Sequence, residues 1–537
     1  HLLAVLERST RQEGREIQRI GLSATVGNPD TLLDWLAGSC PGRRRVFRPD
    51  DGATIDADVT LDYVGSLENA AIVISRLHRG EKRLVFVDSR AKAEELGARL
   101  RQLDVATFVT HSSLSQEQRR QAEDAFAARE NCVIVATSVL ELGIDVGNLD
   151  RVIQIDAPPT VSSFLQRMGR TGRRPGSTRN CLVLATSDDS VVRAAGLIDL
   201  WAAGSIEDVV PPPLPYHILA QQLMAITLQE QGIGQAELWE WIETIPVFGA
   251  MPRQRREEVL QWMFDHEILG IADGVIRFGQ RGEEAYGRKN FLELFSVFLA
   301  PPRFSIRHGR RELGFVDELT FFGKTDGPRI LLLGGRAWLV NHMDWPRRVA
   351  FVEETDSRGR SRWKGWTRGL DYPLCQSIKR VLTSTNPSER WSRRATDRIK
   401  AIREEFGWLE TGSTVVLLDR KDVGWWTFGG TRANATLARA LAEATDSRVE
   451  HDGFCLTFES RLAPDEIPSA IQRTRLEDVS TLRPVVDEDA IGGLKFSACL
   501  PEHLAVEMLE QRLADADATG KTLKENENYI SKTNNII

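Results

Sequence analysis

The chain holds 537 residues, 42% of them apolar and 27% charged, with a formal net charge of −7. One core stops growing at about 250–300 residues, so several domains are expected, and the mild acidity excludes a uniformly basic surface while leaving room for a local basic groove. Six scattered cysteines without a C-x-x-C pair exclude a zinc ribbon, an iron–sulfur cluster and a disulfide framework, and the lack of a bilayer-length apolar run or signal peptide points to the cytoplasm and to no membrane partner.

Residues 1–7 read as the middle of a helix, without initiator Met or cap. Residues 16–24 read as a buried strand ending at Ser23-Ala24-Thr25. A capped helix follows, with Pro29 in its first turn and Leu32, Leu33, Trp35 and Leu36 as its apolar residues. Gly, Arg, Pro and Asp then dominate 41–58, as in a linker. Strand and helix alternate from 59 to 190, with strands at 83–87, 105–109, 132–136, 151–155 and 181–184. A helix fills 90–103, and Ser115 with Gln118 makes a capping box for another that runs to 128. Continuous apolar strands separated by helices belong to a parallel sheet covered on both faces, here one RecA-like α/β domain.

A helical connector at 189–205 ends before Pro211-Pro212-Pro213. Helices follow over 216–288, the last strong one at 253–266, and then a hairpin at 269–278 turning on Asp273-Gly274. That order predicts a winged helix. From 291 the pattern changes to a meander (330–333, 337–341, 348–353), helices at 372–383 and 391–405, and strands at 415–418 and 454–458. The expected units are therefore a lobe end and linker (1–58), the RecA-like lobe (59–190), a connector with winged helix (191–290), a β-rich α+β domain (291–515) and a flexible tail (516–537).

Chemistry concentrates in Gln166-Arg167-Met168-Gly169-Arg170-Thr171-Gly172-Arg173-Arg174. Arg170 and Arg173, three apart, present two guanidinium groups that match phosphate oxygens better than lysine does. Phosphoryl transfer is catalysed mainly by positioning and by stabilising charge on the γ-phosphate, so these two are the expected catalytic fingers, with Gln166 orienting nucleotide or water. Gly143 allows backbone approach to the nucleotide, Asp145 accepts from ribose hydroxyls, and Gly169 completes the ATP-binding set. Thr137 and Ser138 follow a strand at the carboxyl edge, where open α/β sheets bind ligands. Ser89-Arg90 and His111-Ser112-Ser113 open at the same edge, and all are read as strand-phosphate contacts as well as helix caps.

Arg303, Arg307, His308, Arg310 and Arg311 form one basic cluster downstream, and Trp338, Trp345, Arg347, Arg348, Arg362, Trp363, Lys364, Trp366 and Arg368 a second. Arg neutralises phosphates while Trp stacks bases, so Trp338, Arg347 and Arg348 join the candidate nucleic-acid contacts. Neither Gly323-Lys324-Thr325 nor Gly520-Lys521-Thr522 is a phosphate loop, because Glu318 and Asp515 stand where G-x-x-x-x-G-K-[ST] needs glycine. No metal site is expected.

In order and spacing, 21–25, 137–145 and 166–174 resemble motifs III, V and VI of superfamily 2 helicases. The loops at 89–90 and 111–113 resemble motifs IV and IVa. With 291–298, 332–348 and Val423-Gly424-Trp425-Trp426-Thr427-Phe428-Gly429-Gly430, roughly residues 1–510 resemble the Lhr ("large helicase-related") family. The resemblance implies that Ser23 and Thr25 couple hydrolysis to strand movement by bonding to a DExH acid pair. It implies an ATP-dependent motor moving 3′ to 5′ on single-stranded DNA, unwinding duplex DNA or RNA:DNA hybrids in repair or phage defence. ATP and Mg2+ would both need a first lobe absent from this sequence, so the chain alone is expected to be inactive. The competing expectation is a non-catalytic nucleic-acid-binding platform with a half-motor fold.

Overall fold

The computed structural model describes residues 1–23, 25–47, 57–141, 149–172, 177–287, 289–298, 303–317, 329–334, 336–355, 369–418, 423–458, 466–486 and 488–531. At its centre is a six-stranded sheet of β1 (Ala57–Tyr63), β2 (Lys82–Phe86), β3 (Thr107–Thr110), β4 (Cys132–Ala136), β5 (Arg151–Ile155) and β6 (Arg179–Ala185). The spatial order is β1-β6-β5-β2-β4-β3 and every pair is parallel. Successive side chains of a strand point to opposite faces, which divides the core in two. Leu84, Phe86, Ile134 and Val152 pack on one face, and Val85, Val133, Val135 and Ile153 on the other. The parallel, doubly covered sheet is the RecA-like fold that the apolar runs predict.

The winged helix also forms. Helices Tyr216–Gln229, Gln235–Glu243 and Arg253–Asp265 precede a small sheet of β7 (Ile233–Gly234), β8 (Leu269–Ala272) and β9 (Val275–Phe278), ordered β7-β9-β8. Asp273 and Gly274 have φ of 54° and 75°, the two left-handed residues that a tight hairpin turn requires.

Four expectations are corrected. Residues 16–23 form no strand, and Ile20 and Leu22 are exposed, because no described strand lies alongside to complete a ladder. The helix Pro29–Ala37 lacks a side-chain cap; Asn28 instead exchanges hydrogen bonds with the backbone of Val209. Residues 291–515 do not share one core. A first sheet, ordered β11-β10-β14-β13-β12, comprises β10 (Arg303–His308), β11 (Arg311–Asp317), β12 (Ile330–Leu333), β13 (Arg336–Asp344) and β14 (Val349–Thr355). A second, ordered β17-β18-β16-β15-β19, comprises β15 (Ser413–Leu418), β16 (Val423–Trp426), β17 (Val449–His451), β18 (Cys455–Phe458) and β19 (Asn526–Ser531). The helix Glu502–Leu513 leaves both sheets and buries Leu504 and Met508 in the winged-helix core. Finally, residues 516–531 are not a flexible tail. The helix Ala516–Lys524 buries Ala518, Thr519, Thr522 and Leu523, and β19 then pairs in parallel with β15.

Both edges of the RecA-like sheet are covered by later parts of the chain. At β1, Leu61 exchanges backbone hydrogen bonds with Arg390 and Ser392, each 2.8 Å. The helix Tyr372–Thr383 lies so close to Asp188–Ala202 that a Cβ on Gly196 would stand 2.7 Å from Ile378 Cγ1. At the β3 side, β11 bonds the loop that leaves the strand. No helix among the described residues is long and apolar enough to cross a membrane.

Candidate nucleotide and nucleic-acid site

The helix Val161–Met168 carries the arginine-rich segment to the carboxyl edge of the sheet. Thr160 caps it by accepting from Ser163 N at 3.0 Å, and the Glu207 carboxylate accepts from the free amides of Val161 and Ser162 at 2.5 and 2.9 Å. It ends at Gly169, and Gly172 turns the chain back with φ 72°. A Cβ on Gly172 would sit 2.6 Å from Arg179 Cγ, so both φ and space favour glycine there.

Arg167, which the sequence reading passed over, ties the site together. Its buried guanidinium donates to Glu141 Oε1 (2.8 Å from Nε), Gln154 Oε1 (2.6 Å) and Asp88 Oδ1 (3.1 Å), and lies over the Phe86 ring. The loops after β2 and β4 and the strand β5 thus share one cation. The sequence signal was Gln154, a polar residue inside an apolar strand whose amide needs a partner.

Arg170 is also buried, and its guanidinium donates to the Glu141 carbonyl. Gln166 Nε2 donates to Thr25 Oγ1 at 3.0 Å and lies 3.4 Å from Ser162 Oγ; Thr25 Oγ1 and Ser162 Oγ are 2.8 Å apart. The segment read as motif III therefore touches the helix read as motif VI within this chain. The 25–28 stretch is held there by Gly27 N to Glu207 O (3.3 Å) and by the Asn28–Val209 pair. Ser23 is exposed, and its Oγ accepts from Thr25 N at 3.4 Å, without touching Gln166 or Ser162. Gly143, Asp145 and Arg173 lie outside the described residues.

Among the expected strand contacts, Ser112 and Ser138 face solvent. Ser89 caps the helix Arg90–Gln102 by accepting from Lys92 N at 3.0 Å, and Arg90 Nη1 donates to Ser113 Oγ at 2.8 Å. Thr137 is buried, with its amide 3.4 Å from the Thr110 carbonyl. Arg347 and Arg348 are exposed in the β13–β14 turn, beside Trp345, whose ring meets Phe304 edge-on at 5.0 Å.

Two assignments are corrected. His111 is fully buried and bonds Glu94 Oε1 at 2.6 Å, so its ring faces the interior and not a bound strand. Trp338 is a core residue: its indole N–H donates to Leu333 O at 2.8 Å and its ring packs among the β10–β14 side chains, leaving no face for a base. The cluster at 303–311 is a hairpin whose Phe304 and Ile306 point inward while Arg307 stays outside. The Lys324 triplet, Trp363 and Trp366 lie outside the described residues. Gly520-Lys521-Thr522 sits inside a helix, with Thr522 Oγ1 donating to Ala518 O, which agrees with its rejection as a phosphate loop.

A charged pair completes the edge. Asp156, with φ 59°, accepts from Lys92 Nζ at 2.5 Å and from Thr186 N and Oγ1 at 2.9 and 2.7 Å. Burial pushes its carboxyl up, but the Lys92 and Thr186 bonds outweigh that and hold it below the usual range. Among the described residues no group of three or more metal-binding side chains converges.

Residues 66–175 match the helicase conserved C-terminal domain. The chain is 31% identical over 452 residues to the Lhr helicase/uracil glycosylase of Escherichia coli, covering 70% of this chain and 29% of that one. It is 29% identical to the Lhr helicase/probable uracil glycosylase of Mycolicibacterium smegmatis over 48% of this chain and 20% of the relative. The solved Mycobacterium smegmatis helicase Lhr, bound to ssDNA and AMP-PNP, superposes over 99% of this chain and 76% of its own, with TM-score 0.71 and 19% identity. This chain belongs to the Lhr family of superfamily 2 helicases. The Lhr-like fold extends beyond the lobe, since the superposition takes in the winged helix and both later sheets. The DUF1998 helicase MrfA bound to DNA shares the fold more loosely, with TM-score 0.52 and 14% identity over 95% of this chain. This chain spans less than a third of the length of the two curated Lhr relatives named above.

Proposed function

We propose that this Lhr-family chain is the second half of an ATP-dependent nucleic-acid motor, which moves 3′ to 5′ on single-stranded DNA and unwinds DNA or RNA:DNA duplexes in repair or phage defence. The observation that carries the reading is the Thr25–Gln166–Ser162 contact, in which the segment leading out of one lobe meets the helix bearing the arginine fingers of the next. Such a contact makes cleft geometry and the interlobe segment interdependent, which is what an inchworm cycle of closing and reopening requires. The relatives' helicase names and the ssDNA and AMP-PNP in the solved Lhr support the ligand classes.

In this reading Arg170 and Arg173 meet the γ-phosphate, Gln166 orients the nucleophile, Gly143, Asp145 and Gly169 line the nucleotide, and Ser23 and Thr25 couple the lobes. Ser89, Arg90, Ser112, Thr137 and Ser138 hold strand phosphates, while Arg347 and Arg348 add positive charge from the β13–β14 turn. These 537 residues contain no G-x-x-x-x-G-K-[ST] and no DExH pair, so ATP and Mg2+ need a phosphate-binding lobe from outside them. Mg2+ there would neutralise phosphate charge.

The test is direct. The chain alone should bind a single-stranded oligonucleotide without hydrolysing ATP; robust DNA-stimulated hydrolysis by it alone would sink the half-motor reading. In the complete enzyme, Arg170→Ala should abolish hydrolysis with strand binding largely kept, and joint loss of both would overturn the finger assignment. A complete enzyme that binds strands but never hydrolyses ATP would favour the platform.

A further inference from the structure

The loop at 111–115 is gripped from outside its own lobe. Gly314 of β11 lies against it so closely that a Cβ there would stand 2.2 Å from the Ser113 carbonyl oxygen and 2.9 Å from Leu114 Cα. On either side of that contact Phe315 N donates to Ser113 O at 2.5 Å, and Ser115 N donates to Leu313 O at 3.1 Å. A polar relay approaches from inside the lobe. Glu94 Oε1 accepts the Gly334 amide at 2.5 Å and lies 2.6 Å from His111 Nε2, while Ser113 N donates to His111 Nδ1 at 3.2 Å. Glu94 and His111 are both fully buried. Arg101 adds a bond to the Gly334 carbonyl at 3.0 Å.

Burying a carboxylate and an imidazole is costly unless their geometry offsets the loss of water, so this pair holds a fixed arrangement that a looser one would not tolerate. The arrangement has one solvent-facing outlet. Of residues 111–115 only Ser112 is exposed, and its neighbours on both sides are the relay members His111 and Ser113. Their outside partners, Leu313, Gly314, Phe315 and Gly334, all belong to the β10–β14 sheet or its turns.

We propose that Glu94 and Gly314 are positioning residues for nucleic-acid binding: through His111 and Ser113 they aim the Ser112 hydroxyl at a strand phosphate, so that docking of the β10–β14 sheet sets the affinity of the lobe's strand-binding loop. This rests on Ser112 being a strand contact. The sheet thereby acts on nucleic acid at a distance, without its Trp338 touching a base. Glu94 and Gly314 touch no ligand themselves.

The experiment is fluorescence anisotropy of a labelled single-stranded deoxyoligonucleotide with the 537-residue chain, alongside thermal melting. Loss of one hydrogen bond to a charged group predicts that Ser112→Ala weakens binding roughly tenfold. Glu94→Ala and Gly314→Ala should each weaken it by about as much, and in either background Ser112→Ala should cost nothing further, because coupled residues are not additive. Glu94→Gln keeps an acceptor oxygen for Gly334 and His111 and should recover affinity to within roughly threefold of wild type. A purely structural role would lower the melting temperature yet leave the full Ser112→Ala penalty, and that result overturns the proposal. So does a wild type indifferent to Ser112→Ala. Should Glu94→Ala not fold, Gly314→Ala and Glu94→Gln decide on the same criteria. If the wild-type chain binds no single strand at all, the proposed function itself falls, a result distinct from failure of the relay.

Discussion

The two edges of the RecA-like sheet are closed by different means. At β1 the closure carries the Leu61 backbone bonds but is mainly apolar and continuous with the lobe: Leu374, Ile378, Leu382 and Ile399 share one cluster with Leu61 and Val191. Ion pairs at Asp62–Arg394, Asp188–Arg398 and Asp199–Arg380 ring it at the surface. At β3 the β10–β14 sheet keeps its own core of Phe304, Ile306, Leu331, Leu333 and neighbours, and among the described residues Leu114 is the lobe's one member of it. Among the described residues the rest of that junction is mainly hydrogen bonds, with one ion pair between Arg311 and Glu117. An apolar seam has no preferred direction and fuses two units into one; a hydrogen-bonded seam fixes geometry and transmits it. The β1 edge should therefore govern stability, and the β3 edge the placement of functional loops.

Ile378→Ala gives the largest expected effect. It removes a buried side chain from the shared core and should cost about 2–5 kcal/mol in denaturant unfolding, with strand affinity of the folded protein unchanged. Weaker binding well below the melting transition would break the division. Arg101→Met comes next. It keeps the stem but loses bonds to the Thr107 and Gly334 carbonyls, at about 1.5–3 kcal/mol for hydrogen bonds to a charged group. Strand affinity should fall here as well, and an unchanged affinity would mean the β3 seam is only structural.

Asp188→Asn should have the smallest effect. The Arg398 hydrogen bond holds the Asp188 carboxyl below the usual range, against a smaller opposing push from burial. A depressed carboxyl contributes stability that is full above its unfolded value, about pH 4, and that is lost as pH falls through the folded value. The variant should thus melt slightly below wild type at pH 7, and the two curves should converge in acid. Both partners are well exposed, so salt should shrink the difference too. A gap that persists in acid and high salt would show that packing, not charge, is at work.

The RecA-like lobe was legible because each central strand is a continuous apolar run, a pattern that survives without knowledge of its neighbours. β1 was not, since its Ala-Asp-Val-Thr-Leu-Asp-Tyr mixes polar residues that pair with Ser392, Arg394 and others far along the chain. The hairpin at 303–317 did carry alternation in Phe304 and Ile306, but the charges between them drew the eye to a basic patch. Trp338 and His111 show a further limit. Polar tips on large side chains look equally suited to a ligand and to a buried partner, and only the fold supplies Leu333 O for one and Glu94 for the other. Arg167 shows the reverse case, in which an arginine inside the arginine-rich segment spends its guanidinium on the protein itself.

The pairing of β19 with β15 bears on how the chain is made. Thr414 and Asn526 meet across 112 positions, and the buried Lys379 finds its carboxylate at Glu525. On a ribosome, β15 waits with one edge unpaired, and Lys379 without its counter-charge, until residues 525–531 emerge. Polypeptides released short of that point would carry an open strand and a stranded cation beside the β1 seam. Premature termination late in translation should accordingly yield aggregating protein and not a slightly shortened one.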